Sequence, residues 1–175
     1  GRTTNAYPHG IIWKLNNYTG GVAPGGFAGM NTFMHDFSYG NNGTVEPIGN
    51  NTFLGMDAGN LHMGSTATTT WQSSYNTGLG VDCLFYNTTG AFNTAVGTLA
   101  VSGNYSGNYN TGVGALSMLS NNIGDGNVAV GFASLKMNIN GSYNVAIGHG
   151  AGNLSSSGNN NSSAESIFIG YATKA

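Results

Sequence analysis

The sequence predicts an all-β fold, a β-solenoid (a β-roll or β-helix) whose coil is 17 residues long. Three observations carry this. A six-residue motif recurs as YNTGLG at 75–80, FNTAVG at 92–97, YNTGVG at 109–114, GNVAVG at 126–131 and YNVAIG at 143–148. Its asparagines, Asn76, Asn93, Asn110, Asn127 and Asn144, are spaced by 17 residues each time, and a fixed period marks a repeat architecture. Glycine recurs twice in each repeat, too often for a helix to survive.

Each element follows from the letters. Residues 1–30 show no copy of the motif and form a lead-in or cap segment. The solenoid occupies 31–175, beginning with the weak copy NTFMH at Asn31. A better copy, NTFLG, begins at Asn51, one period plus eight residues before Asn76, so an insertion falls near 60–74. The regular array runs over 76–148. A last copy, SIFIG, begins at Ser166, one period plus five after Asn144, so a second insertion falls near 153–165. Within each repeat the short β-branched motif is a strand, closed by Gly80, Gly97, Gly114, Gly131 or Gly148. A second glycine column, Gly90, Gly107, Gly124 and Gly141, marks another turn. The apolar residues Leu84, Val101, Met118 and Leu135 suggest a second strand per coil. Coils would stack at the inter-strand spacing of about 4.8 Å.

Strand alternation assigns the faces. The column Leu79, Val96, Val113, Val130, Ile147 is aliphatic throughout and is expected inside the coil, together with Thr77, Thr94, Thr111, Val128 and Val145. Gly78, Ala95, Gly112, Ala129 and Ala146 then point outward, with Phe53 and Phe168 in the same slot at the two ends. A small, uncharged outward column implies a close neighbour, so these seven residues are the expected subunit interface. The repeated asparagines are expected to hydrogen-bond amide to amide along the stack, as in cross-β ladders.

Composition narrows the function. Charged residues make up 6% of the chain and the formal net charge is −2. Only Arg2, Lys14, Lys136 and Lys174 carry positive charge, which excludes a phosphate-binding surface and hence nucleic acid as a partner. Aromatic residues reach 11% and apolar residues 39%, enough for a core. No apolar run approaches the ~20 residues of a membrane-spanning helix, so no membrane insertion is expected. No signal peptide is visible and no Met opens the chain, so a processed product or a fragment is expected. The single cysteine, Cys83, has no intrachain partner for a disulfide.

No catalytic, cofactor or metal site is legible. The four histidines, His9, His35, His62 and His149, lack metal-ligand spacing. His35 and Asp36 are adjacent, so on a strand they point apart. No GxSxG elbow is present, and GGVAPGG at 20–26 lacks the GK[ST] ending of a phosphate loop. The chain is therefore read as a non-enzyme that needs no cofactor. A column of Thr77, Thr94 and Thr111 raises an ice-binding plane, which an inward orientation would exclude. Recognition is expected on the insertions, where loops escape the repeat. Trp71 is the ligand-contact candidate, since an exposed aromatic ring can stack on a sugar; packing on the solenoid flank as a cap is the plainer role for it.

NTFLGMDAGN (51–60), YNTGLG, YNVAIGHGAG (143–152) and SIFIGYATKA (166–175) resemble the repeat region of bacteriophage tail fibres and related surface fibres, in which such repeats precede an endosialidase-type chaperone. The NVAIG core is also similar to the repeat of trimeric autotransporter adhesin heads, although a 17-residue period is longer than theirs. The resemblance covers about residues 31–175. It implies a left-handed solenoid, three chains around one axis, and an extracellular location on a virion tail fibre or cell-surface appendage. The partners implied are the chain itself, as a homotrimer, and a host surface glycan or receptor. The function expected is a structural fibre segment that projects or forms a host-attachment surface. The alternatives are a bacterial adhesin or filament subunit that binds glycan through its insertion loops, and a tailspike-type depolymerase. The last would need two carboxylates facing each other across a sugar.

Overall fold

A computed structural model of the chain describes residues 34–35, 45, 47–59, 63–155, 158–159 and 164–173. The lead-in expected over 1–30 lies outside the described residues, as do parts of both insertions. The described residues are all-β, with no helix among them. In chain order the strands are β1 (Met34–His35), β2 (Thr52–Leu54), β3 (Thr77–Leu79), β4 (Thr94–Val96), β5 (Thr111–Val113), β6 (Val128–Val130), β7 (Val145–Ile147), β8 (Leu154–Ser155), β9 (Gly158–Asn159) and β10 (Ile167–Ile169). Strands β2 to β7 and then β10 form one parallel sheet in that order. Motif positions align one on another, Thr77 with Thr94, Gly78 with Ala95 and Leu79 with Val96. Both breaks in the period leave this register intact, since Phe53 pairs with Gly78 and Phe168 with Ala146. This is a solenoid-like stack, one strand to each 17-residue coil.

The expected second strand is not formed. Its residues sit in turns, and Leu84, Val101, Met118 and Leu135 all have φ between 46° and 54°. A left-handed backbone costs an L-residue roughly 1–2 kcal/mol, so these turns need support from neighbouring coils. They have it: Leu84 N–H donates to Ala100 O, Val101 N–H to Ser117 O, Met118 N–H to Ser134 O and Leu135 N–H to Ala151 O, at 2.8–3.1 Å. Backbone hydrogen bonding between coils therefore continues round the whole path, strand or not. The corner after each strand does require glycine. Gly97 has φ 130°, and a Cβ there would lie 2.7 Å from the carbonyl carbon of Gly114.

The weak copy at Asn31 also departs from expectation. Its strand β1 runs antiparallel to β2, with Met34 opposite Leu54 and His35 opposite Phe53. Strands β8 and β9 form a small antiparallel hairpin within the second insertion.

The interior is the reverse of the alternation assigned from sequence. Ala95, Ala129 and Ala146 are fully buried within their own chain, as is Phe53, and Phe168 is nearly so. Gly78 and Gly112 are buried in the same column. The reason is the narrowness of the coil. Leu84, Val101, Met118 and Leu135 turn inward and fill the lumen, leaving room for only hydrogen or methyl on the strand opposite. A Cβ at Gly112 would lie 2.5 Å from Val101 Cγ2 and 3.4 Å from Met118 Cε. In the first coil the sizes are exchanged: the strand contributes Phe53 and the far side contributes Gly59, where a Cβ would meet the Phe53 ring at 2.7 Å.

Two asparagine ladders complete the core, and the expected amide stacking is present. In the first, Asn51, Asn76, Asn93, Asn110, Asn127 and Asn144 are all fully buried. The Oδ1 of each of the first five accepts the backbone N–H of the asparagine one coil on, as from Asn93 to Asn76 at 3.0 Å and from Asn110 to Asn93 at 2.9 Å, and Asn144 Oδ1 accepts from Ser166 N–H at 3.2 Å. Nδ2 donates in turn to a glycine carbonyl: Asn93 to Gly107, Asn110 to Gly124 and Asn127 to Gly141. The second ladder is Asn87, Asn104, Asn121 and Asn138, linked amide to amide at 2.8–3.1 Å and each donating to a glycine three residues on. Buried polar groups are tolerated when they are paired, and an amide, being donor and acceptor at once, can pair without end along a stack.

Candidate functional site

Turning the Gly/Ala column inward turns its neighbours outward. The outer face of the sheet reads Thr52 and Leu54, Thr77 and Leu79, Thr94 and Val96, Thr111 and Val113, Val128 and Val130, Val145 and Ile147, Ile167 and Ile169 along its seven parallel strands. It carries no charge. Leu79 is 45% exposed, Ile147 43%, Ile167 73% and Ile169 66%. The face grades from threonine with leucine at the N-terminal end to purely aliphatic at the C-terminal end. Gly78, Ala95, Gly112, Ala129, Ala146, Phe53 and Phe168 are thereby removed from the expected interface, since their side chains pack within their own coil. What is left uncovered is the aliphatic column expected inside. A contiguous apolar face on a sheet is unusual on a soluble monomer and marks an interaction surface.

The threonine column is outward too, Thr77 exposed and Thr94 and Thr111 half-buried. The inward orientation that would exclude an ice-binding plane does not hold. The hydroxyls nevertheless stop at β5, and β6, β7 and β10 present Val and Ile in their place.

Aromatic rings stack from coil to coil beside the sheet. Tyr75 lies on Phe92 with ring centroids 4.8 Å apart, and Phe92 on Tyr109 at 4.9 Å. All three have φ near +60°, and offset-stacked rings contribute roughly 0.5–1.5 kcal/mol per pair. Gly126, which opens the fourth copy of the motif, takes the ring's place in the next coil, where a Cβ would lie 2.7 Å from the Tyr143 ring. The period of these rings is in the sequence, in the residue before each asparagine.

Trp71, the ligand candidate, is 41% exposed on a tight turn in the first insertion. Gln72 Oε1 holds that turn by accepting the N–H groups of Thr68 and Thr69 at 2.6 and 3.1 Å. The ring sits in the insertion between β2 and β3. His35 and Asp36 cannot be compared, because Asp36 lies outside the described residues. Asp57 and Asp82 occupy equivalent positions in adjacent coils, with Asp82 N–H donating to Met56 O. Partial burial, and then repulsion from Asp57, raise the Asp82 carboxyl above its ordinary value. Cys83 is buried, its thiol donating to Gly80 O at 3.2 Å, and burial pushes its pKa up to about 12. Among the described residues no group of three or more His, Cys, Asp or Glu is placed to hold a metal ion, and no helix is long and apolar enough to cross a membrane.

Comparison with protein-family models, with curated proteins and with solved structures finds no match for this chain.

Proposed function

We propose that the chain is a structural segment of an extracellular fibre, a phage tail fibre, in which three copies pack their Thr/Val/Leu/Ile sheet faces around a common axis and hold a host-attachment surface. The observation that carries this reading is the uncovered, charge-free face of the seven-stranded parallel sheet. Three features support it further. Inter-coil hydrogen bonds run round the whole circuit, which resists bending. The buried asparagine ladders and lumen-filling side chains suit a durable rod rather than a mobile enzyme. The repeat pattern resembles that of phage fibres and of trimeric adhesin heads. The grading from threonine to isoleucine favours parallel copies, since only then does aliphatic face aliphatic and hydroxyl face hydroxyl at each height.

The test is mass in solution by light scattering. The wild-type chain is expected at three times its monomer mass. Val130→Arg places a charge on the outer face of β6, and burying an unpaired ion costs several kcal/mol, so this variant should fall to monomer mass while keeping its β circular dichroism. Ala129→Arg, one residue away and buried, should not fold at all. A monomeric wild type would sink the reading. A monomer whose free threonine column shaped growing ice crystals would replace it with an ice-binding one.

A further inference from the structure

Three columns of the repeat change character at the same coils. After the strand and its glycine corner, Thr98 and Ala115 give way to Phe132, His149 and Tyr171. In the next column, Leu99 and Leu116 give way to Ala133, Gly150 and Ala172. Farther round the turn, Leu119 is followed by Lys136 and Asn153. The first column becomes aromatic, the second, the floor column, becomes small and the third becomes polar. The result is a groove of about 260 Å³ along the C-terminal coils, lined by these residues.

The aromatic wall is a continuous ledge. Phe132 stacks on His149 at 5.0 Å and 25°, and His149 on Tyr171 at 5.2 Å and 24°. Tyr171 is 79% exposed. The same groove is lined by Lys136, the only Lys or Arg among the described residues. None of the described carboxylates, Asp57, Asp82, Asp125 and Glu165, lines the groove. Beside Lys136, the Oδ1 atom of Asn153 is buried without a hydrogen-bond partner, an acceptor that a ligand hydroxyl could satisfy after a small rotation of the amide. The backbone of the floor is already committed: Ala133, Gly150 and Ala172 donate their N–H groups to Ala115 O, Phe132 O and His149 O at 2.8–2.9 Å. The floor therefore offers no nest of free amides for a phosphate.

An aromatic ledge for the apolar face of a ring, an amide for hydroxyls and one ammonium for a carboxylate together describe an acidic sugar. We propose that this groove binds a carboxylated pyranose, a uronic or sialic acid unit of a surface polysaccharide. This deepens the attachment reading and places recognition on the coil flank of the C-terminal repeats rather than at Trp71. The groove is complete within one chain and does not use the sheet face, so binding and assembly fail independently.

The test is saturation-transfer NMR and calorimetry on the whole chain. The probes are a glucuronic acid-terminated disaccharide, a sialic acid-terminated trisaccharide, a neutral glucose disaccharide and inorganic phosphate. At least one acidic sugar should bind, with the neutral sugar and phosphate weaker by about tenfold or more. Lys136→Met should weaken acidic-sugar binding by about tenfold and leave neutral-sugar binding unchanged. Tyr171→Ala should weaken both sugars, and both variants should keep the wild-type melting temperature, since neither side chain is in the core. Which acidic sugar binds identifies the source. No saturation transfer to either acidic sugar, equal affinity for acidic and neutral sugars, phosphate binding as tightly as either, or wild-type binding by Lys136→Met would each overturn the proposal.

Discussion

Val101 Cγ2 fills the space in which a side chain at Gly112 would begin, 2.5 Å from where that Cβ would stand. The two residues belong to adjacent coils and to opposite sides of the lumen, and the size of one fixes the size of the other. Gly112→Ala should therefore destabilise by about 1–3 kcal/mol, the range for an overfilled core. Val101→Ala should also destabilise, by leaving a cavity. Together they should cost less than the sum, because the new methyl enters the vacated space. Urea midpoints of the four proteins check this; strict additivity would refute the packing described.

The asparagine ladder makes a chemical demand that shape alone does not. Asn110 Oδ1 accepts from Asn127, while its Nδ2 donates to Gly124 O. Asn110→Asp keeps the shape, loses the donor and buries a charge with no countercharge. It should cost about 3 kcal/mol or more at neutral pH, and part of the loss should be recovered at acid pH as the carboxyl protonates. Asn110→Ala should cost about 1–3 kcal/mol for the groups left unpaired and show no such pH dependence. Thermal unfolding at two pH values separates the two.

Asp82 shows the same direction of pH dependence at a half-buried position. Its carboxyl is raised by burial and by Asp57, so the folded state holds the proton more tightly than the unfolded chain does. The neutral form is favoured by folding, and that contribution is present below the ordinary carboxylate pKa and lost as pH rises through the raised one. Asp82→Asn should raise Tm at neutral pH and leave it nearly unchanged well below the carboxylate range. An equal rise at both would show that repulsion and burial are not the cause.

The register makes the coil the unit of deletion. Removing residues 93–109 joins Phe92 to Asn110 and restores the motif, so a shorter folded stack is expected, with its circular dichroism per residue unchanged. Removing eight residues from 93 shifts each column off its partner, which in a sheet moves core side chains to the other face, and should abolish cooperative unfolding. Equal folding of both deletions would contradict the stack.

The periodicity, the coil length, the motif strands of the parallel sheet and the paired asparagines were legible in the sequence, because each is a property of spacing. The direction of the columns was not. Hydrophobicity argued that Leu79, Val96, Val113, Val130 and Ile147 face inward, and in a wide core they would. Here the lumen is filled from the turns by Leu84, Val101, Met118 and Leu135, so only Gly or Ala fits on the strand. One signal pointed the right way: Asn76 and Gly78 are two residues apart and share a face, so a buried asparagine ladder carries the glycine inside with it. The second strand failed for a related reason, since left-handed turns stabilised by stacking leave no trace in β propensity. The C-terminal groove is visible in sequence only when columns, rather than motifs, are compared.

Strand β1 has a consequence for how the protein coexists with its own copies. A stack of parallel strands is a template, and its exposed edge would accept the next coil from any chain bearing the same repeat. At β2 that edge is taken by Met34 and His35 running the other way. An antiparallel strand offers a different spacing of donors and acceptors from the one that parallel coils use, so a foreign coil arriving there finds the wrong lock. Strand β1 thus caps the N-terminal edge of the sheet against end-on addition of another parallel coil.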